Sequence, residues 1–224
     1  MKKTVLTAVI MMAAMVTPMY AEVETSVGAD VVSSYIWRGT DCGSAAIQPS
    51  LSLETGVLGL SFWGSYGLVD PADTKEFDIT LSYSIAGFSV GVTDYWFSAG
   101  TEPLGRYLKY ESGASNHTFE GFLGYDLDFM SVSLYTNFYN DDEYSTYIEL
   151  GAPFTAFGAD WSAALGMVPM ESALYGTEGF AVTNISLTAE KSLDITDSFS
   201  LPVSAGLTVN PCSEMAYFTF GISF

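Results

Sequence analysis

Positive charge is scarce in this chain. Of 224 residues, seven are lysine or arginine against 26 aspartates and glutamates, and two of the seven, Lys2 and Lys3, stand at the extreme N-terminus. The other five, Arg38, Lys75, Arg106, Lys109 and Lys191, leave a formal charge of −21 on the remainder. That excludes nucleic acid as a partner, because phosphate backbones are held by clustered cations. One histidine and two cysteines leave no thiolate metal site, and no phosphate-cradling glycine loop occurs. Past residue 21, no run approaches the roughly 18 to 20 consecutive apolar residues that a membrane-spanning helix needs.

What is present is unusual for a cytoplasmic enzyme: 15% aromatic residues, 21 glycines and only 15% charged residues. The stretch MKKTVLTAVIMMAAMVTPMYA joins two lysines to an apolar run from Val5 to Val16, then Pro18 and a small residue at Ala21. This is the layout of a cleaved secretory signal, so residues 1–21 are expected to be removed and residues 22–224 to form the exported domain. No cysteine follows that would suggest lipid attachment.

The exported part alternates apolar and polar residues with period two and almost never adopts helical spacing. Twelve strands are predicted, over 24–39, 47–54, 57–68, 76–86, 88–96, 118–125, 130–140, 144–151, 159–168, 180–190, 199–209 and 215–224. In SLPVSAGLTVN, Leu201, Val203, Ala205, Leu207 and Val209 face one way, and Ser204, Gly206, Thr208 and Asn210 the other. The final strand, AYFTFGISF, sets Ala216, Phe218, Phe220, Ile222 and Phe224 on one face.

Connections alternate in kind along the chain. Thr55-Gly56, Gly87 and DLDF are short, whereas TDCGSAA, VDPADTK, the segment 97–117, NDDE, PMESALYGTEG and PCSE are longer or more polar. Short turns thus fall on one rim and long loops on the other, as in a transmembrane antiparallel up-and-down β-barrel, an all-β fold, with about twelve strands. APFTAFG and KSLDITDS are longer than that rule expects of the short rim. Twelve strands of about ten residues use about 120 residues, which leaves enough for six loops and five turns. Backbone groups in lipid must all be paired within the protein, and a closed barrel does this. A secreted β-sandwich or lipocalin-like barrel also alternates, but there the apolar face is buried. The polar face here is mostly Ser, Thr, Gly and Asn, which suits a wet lumen and favours the bacterial outer membrane.

Within DVVSSYIWRGTDCGSAAIQPSLSL, Ser34, Tyr35, Trp37, Arg38, Gly39 and Pro49 resemble the motif of the TorF-type porins, a family of predicted outer-membrane barrels. Family members carry S-x-Y-x-aromatic-R-G, a serine-bearing loop, then proline followed by Gln-Gly. In this chain Gln48 precedes the proline and the Gln-Gly is absent. The resemblance directly covers the first quarter of the chain and implies a pore. An aromatic final residue also resembles the ending of proteins handed to the outer-membrane assembly machinery, an expected partner alongside outer-membrane lipid and small solutes.

If the alternation holds, the lumen can be read. Near the short-turn rim it places Glu54, Glu149, Asp160 and Glu190, with Asp30 deeper, and near the loop rim Glu76, Asp78 and Glu120. Arg38 is the inward cation, set either beside Glu76 or Asp78 across a constriction, or as the ion-pair partner that lets several acids share a narrow space. Carboxylates in a water-filled passage favour cations; alternatively they are solvated or paired locally. Inward Trp63, Tyr95, Tyr135, Tyr139 and Tyr147 make a sliding surface for solutes or simply fill the interior. Cys42 in the first loop and Cys212 in the last would be neighbours in a closed barrel, and form a candidate disulfide.

Signals for catalysis are weak. His117, with Ser112, Ser115 and Asn116 close in sequence, admits a Ser-His lipid hydrolase, but a solvated loop histidine is the simpler reading. Asp70, Asp73 and the acids of NDDE lack the spacing of a Ca²⁺ motif. No cofactor, metal or catalytic residue is expected. The expectation is a passive, cation-preferring pore for small solutes. The alternatives are a non-conducting barrel that anchors, adheres or assists assembly and, behind it, a lipid hydrolase.

Overall fold

The structure is a computed structural model that describes residues 22–69, 73, 75–98, 107–111 and 115–224. The expected signal, residues 1–21, lies outside these, as do Asp70, Arg106 and Ser112. Sixteen strands follow in chain order: β1 (Glu24–Val32), β2 (Tyr35–Trp37), β3 (Thr40–Gly43), β4 (Ala46–Thr55), β5 (Leu58–Gly67), β6 (Lys75–Ile85), β7 (Phe88–Ser98), β8 (His117–Leu127), β9 (Met130–Tyr139), β10 (Thr146–Ala156), β11 (Ala159–Val168), β12 (Glu171–Ser172), β13 (Thr177–Glu178), β14 (Ala181–Thr196), β15 (Phe199–Asn210) and β16 (Met215–Ser223).

Twelve of these close into a barrel in the order β1-β16-β15-β14-β11-β10-β9-β8-β7-β6-β5-β4, with β4 returning to β1. Every neighbouring pair is antiparallel, so the wall is an up-and-down meander. The closing seam is short. Asp30, Val31 and Val32 lie opposite Ser223, Ile222 and Gly221. Ala29 and Phe224 then exchange two backbone hydrogen bonds, of 3.3 and 3.0 Å, and the Ser33 N–H donates to Phe220 O at 2.9 Å. These bonds occupy groups that would otherwise be bare strand edges in hydrocarbon, where each unpaired group costs several kcal/mol.

Three of the strand boundaries differ instructively from the sequence reading. The connections APFTAFG and KSLDITDS are mostly strand: β10 continues to Ala156 and β14 to Thr196. What remains is two residues in each case. Phe157 and Gly158, with φ of 55° and 73°, turn β10 into β11, the left-handed pair that suits a tight hairpin. The first strand, expected over 24–39, leaves the wall after Val32, and residues 35–43 fold as a separate hairpin of β2 and β3.

Inside and outside are inverted relative to a soluble protein. Among the described residues only Ala46, Trp96, Tyr147, Val168 and Tyr175 are buried hydrophobics, while Val27, Leu123, Leu207, Phe218 and Phe220 are half or more exposed on the outer face. The inner face is lined by small polar groups: Ser82 Oγ would meet a Cβ at Gly59, Ser89 Oγ one at Gly124, and Ser131 Oγ one at Gly151. A water-soluble β-sandwich would bury the apolar face, so this arrangement removes that reading.

Leu207 is mid-strand on the outer face, opposite Leu187 and Phe218. Leu207→Arg is expected to lower the unfolding free energy in phospholipid vesicles by about 2 to 4 kcal/mol, the usual cost of a midplane cation on a lipid face. Denaturant titration followed by tryptophan fluorescence measures it, and an inward change such as Ser204→Thr should cost much less.

Candidate functional site

The barrel lumen is crossed near its loop rim by the β2–β3 hairpin. Arg38 and Gly39 form its tip with φ of 49° and 83°. A Cβ at Gly39 would stand 1.8 Å from the Thr183 carbonyl oxygen of β14, and Asn210 Nδ2 of β15 donates to Gly39 O at 3.0 Å. The tip therefore lodges against the wall, in a position that only glycine fits. The other end of the hairpin faces β5 and β6, where the Tyr35 ring lies 5.4 Å from that of Trp63.

Arg38 is the centre of the assembly. Its Nη1 and Nη2 donate to the two Glu120 carboxylate oxygens of β8 at 2.6 and 2.9 Å, with side chains 8% and 2% exposed. Nη1 also donates to the Tyr175 hydroxyl at 2.7 Å, and Tyr95 donates to Glu120 Oε1 at 3.0 Å. The guanidinium lies 4.4, 4.1 and 4.7 Å from the rings of Trp37, Tyr135 and Tyr147. A bidentate, ring-stacked cation of this kind is held far more firmly than a surface ion pair. The loop between β11 and β14 joins in, since Tyr175 at its tip stacks on Trp37 and on Tyr147. Tyr147 in turn donates to Glu149, and its phenol occupies the space a side chain at Gly166 would need.

Strand parity places Asp30, Glu54, Trp63, Glu76, Asp78, Tyr95, Glu120, Tyr135, Tyr147, Glu149, Asp160 and Glu190 on the inner face. Of the two settings expected for Arg38, the ion-pair partner is the one found, to Glu120 and not beside Glu76 or Asp78, because the hairpin carries it off the wall and across the lumen. Three expectations need correction. Glu149 belongs to the loop half, since β10 runs seven residues beyond it. Tyr139 faces outward: a bulge at Phe119/Glu120 shifts the β8–β9 register, Tyr139 packs edge-on to Phe119, and its hydroxyl reaches Tyr110 O at 2.8 Å. Cys42 and Cys212 are both free thiols. Folding the first loop inward takes Cys42 to the β6 side, beside Glu76, while Cys212 stays exposed on its turn.

His117 is not solvated. It lies 1% exposed on the outer face of β8 and its Nδ1 is 2.7 Å from Asp94 Oδ1. Nε2 contacts the Tyr107 carbonyl oxygen at 2.5 Å, and the Tyr107 and Tyr110 hydroxyls donate to Asp94 Oδ2. This is an Asp-His pair whose second nitrogen meets a carbonyl and not a nucleophile, and it ties residues 107–110 to the outer wall. Ser115 Oγ accepts from the His117 backbone N–H. Sequence reasoning missed Asp94, although it breaks the apolar face of β7 between Val92 and Trp96. It also missed Tyr175, for which nothing in the loop gave a signal.

Above the hairpin opens a vestibule of about 460 Å³ lined by Tyr35, Trp37, Glu76, Tyr95, Asp141 and Glu143 among others. Burial works to raise the Asp141 carboxyl, but donors from Asn137, Ser145 and the Glu143 backbone hold it below its ordinary value. No family model and no curated protein matches the chain. Among solved structures the chain is similar to one described as KdgM porin, with 12% identity, TM-score 0.45, and coverage of 91% of this chain and 98% of that one. It is also similar to the COG4313 outer membrane channel from Pseudomonas putida F1, with 14% identity, TM-score 0.38, and coverage of 93% and 97%. Both likenesses are remote.

Burial, then the nearby Glu76 and Asp41 charges, push the Cys42 thiol up to about 12. A maleimide at neutral pH is expected to label Cys212 within minutes and Cys42 at least tenfold more slowly, as read by mass spectrometry of the folded protein. Arg38→Met leaves Glu120 buried without its partner and is expected to cost about 3 to 5 kcal/mol. Adding Glu120→Gln should recover most of that loss in equilibrium unfolding.

Proposed function

We propose that the protein is an outer-membrane channel through which small solutes diffuse passively, with a preference for cations. The observation that carries this reading is the charge left inside the barrel once Arg38 is committed to Glu120. Among the described residues Arg38 is the inward cation, and its charge is spent on one carboxylate. Asp30 and Glu149, with Glu54, Asp160 and Glu190 at the short-turn rim, remain on the inner face where water reaches them, which makes the water-filled part of the lumen electronegative. The apolar outer surface and the sealed seam supply the membrane-spanning wall, and the N-terminal segment supports export. The mature barrel would meet outer-membrane lipid and the assembly machinery.

A second reading is favoured by the hairpin itself. A tip lodged on β14 and β15, an arginine clamped on β8 and a tyrosine stacked from the opposite loop narrow the lumen severely. A barrel closed at this level would be a non-conducting anchor whose vestibule and loops bind a partner. The lipid-hydrolase reading has less support, because the His117 ring nitrogens are both engaged by Asp94 and a backbone carbonyl.

Purified protein in planar bilayers under a tenfold KCl gradient separates the first two. The channel reading expects discrete conductance steps and a reversal potential of the cation sign. Steps of anion sign would refute the charge argument, and complete silence would favour the closed anchor.

A further inference from the structure

Two carboxylates on β6 are not accounted for by the Arg38 clamp. Glu76 and Asp78 stand two residues apart on the inner face, 4% and 7% exposed. Asp78 Oδ1 is buried and finds no hydrogen-bond donor among the described residues. Three donors on this side of the lumen are engaged elsewhere: Tyr95 bonds Glu120, Arg38 bonds Glu120 and Tyr175, and Tyr35 bonds Glu76. Asp78 also lies within electrostatic reach of Glu76, Asp94 and Glu120. A buried, unpartnered carboxylate beside a second one is too costly to stand alone, and burial strengthens whatever cation reaches it.

We propose that Glu76 and Asp78 form a binding site for a hard, oxygen-seeking divalent cation of the Ca²⁺ or Mg²⁺ type. The ligand chemistry is all oxygen, which suits such ions and not softer ones. Among the described residues no three His, Cys, Asp or Glu side chains converge to wrap a bare ion. The ion therefore keeps part of its water shell, as Mg²⁺ and weakly held Ca²⁺ do. Access comes from the vestibule, whose lining includes Tyr35, Glu76 and Tyr95. Beyond Asp78 the inner face continues along β6 through Thr80, which bonds Thr93 at 2.9 Å, and Ser82. These oxygens are the ones a cation leaving Asp78 along the β6–β7 wall would meet. In its role as a waypoint, the site rests on the channel reading; in its occupancy it does not.

Terbium is a luminescent substitute for Ca²⁺ and is sensitised by nearby aromatic rings, which Tyr35, Trp63 and Tyr95 supply. Full-length barrel refolded in detergent is expected to give saturable Tb³⁺ emission that excess Ca²⁺ displaces. Asp78→Asn and Glu76→Gln should each weaken the apparent affinity at least tenfold, whereas Asp128→Asn, in an exposed turn, should leave it unchanged. Heat-modifiable migration on gels confirms that each variant folds. Absence of saturable emission, or an Asp78→Asn titration that overlays the wild type, overturns the site and means that a proton neutralises the pair. In bilayers, millimolar Ca²⁺ should reduce monovalent current through the wild type and not through Asp78→Asn. Terbium binding without any conductance would retain the site and remove the channel.

Discussion

Everything else in this molecule depends on closing one sheet. A strand edge cannot be left open in hydrocarbon, and the chain meets that constraint with a seam of three residue pairs and a few flanking bonds between β1 and β16. Closure fixes the two faces at once. Leu, Phe and Val side chains can then face outward without loss, and the inner face must be one that water tolerates. It also explains why so few apolar side chains are buried: the protein does not need a soluble protein's core, because lipid performs that solvation. The protein's own packed cluster, Tyr147, Val168 and Tyr175 with Trp37 and Tyr135, is assembled where loops enter the lumen.

That cluster shows how the interior is organised. A twelve-strand ring lies between small barrels filled by side chains and large ones holding an aqueous channel. Here the two solutions are stacked along one axis. The loop half is occupied by the β2–β3 hairpin and Tyr175, while the short-turn half is lined by Ser, Thr and Gly. Anchoring is at the hairpin tip, by charge-assisted bonds from Arg38 and by shape where Gly39 meets the Thr183 carbonyl. On the outer wall the Asp94–His117 pair holds residues 107–110 in a comparable way, so that a second loop is fastened outside the lumen while the first is fastened within it.

Much of this was legible in the sequence because β parity is a strict code. The wall strands, the two classes of connection and the inward positions of Asp30, Glu76, Asp78 and Glu120 all follow from period two. The code failed where the backbone departed from it. Alternation lapses at Val31-Val32 and Ser33-Ser34, where the wall strand ends, and the single strand expected over 24–39 ran through that break. A second signal was conformational, the Arg38-Gly39 pair with positive φ. A single bulge turned Tyr139 outward, because one inserted residue reverses every later side chain. The connections after Gly151 and Glu190 looked long only because the strands they belong to extend further. Asp94 was readable as a carboxylate on an apolar face, a violation that called for a partner, and His117 supplies it. The partner of Arg38 was not readable, since it depends on where a hairpin lands.

For the proposed channel, position along the axis decides which charges would matter for selectivity. Glu54, Asp160 and Glu190 sit exposed at the short-turn rim, where water and salt reduce a unit charge's influence to about 1 kcal/mol at 4 Å and screen it beyond about 10 Å. Glu76 and Asp78 are enclosed between the wall and the hairpin, where the effective dielectric is nearer 20 and the same separation is worth about 4 kcal/mol. An exposed ring of acids concentrates cations at an entrance but discriminates weakly. In the proposed channel, a pair enclosed at the narrow level would act on each passing ion, so its preference would be set by two residues of β6 and not by the large net charge.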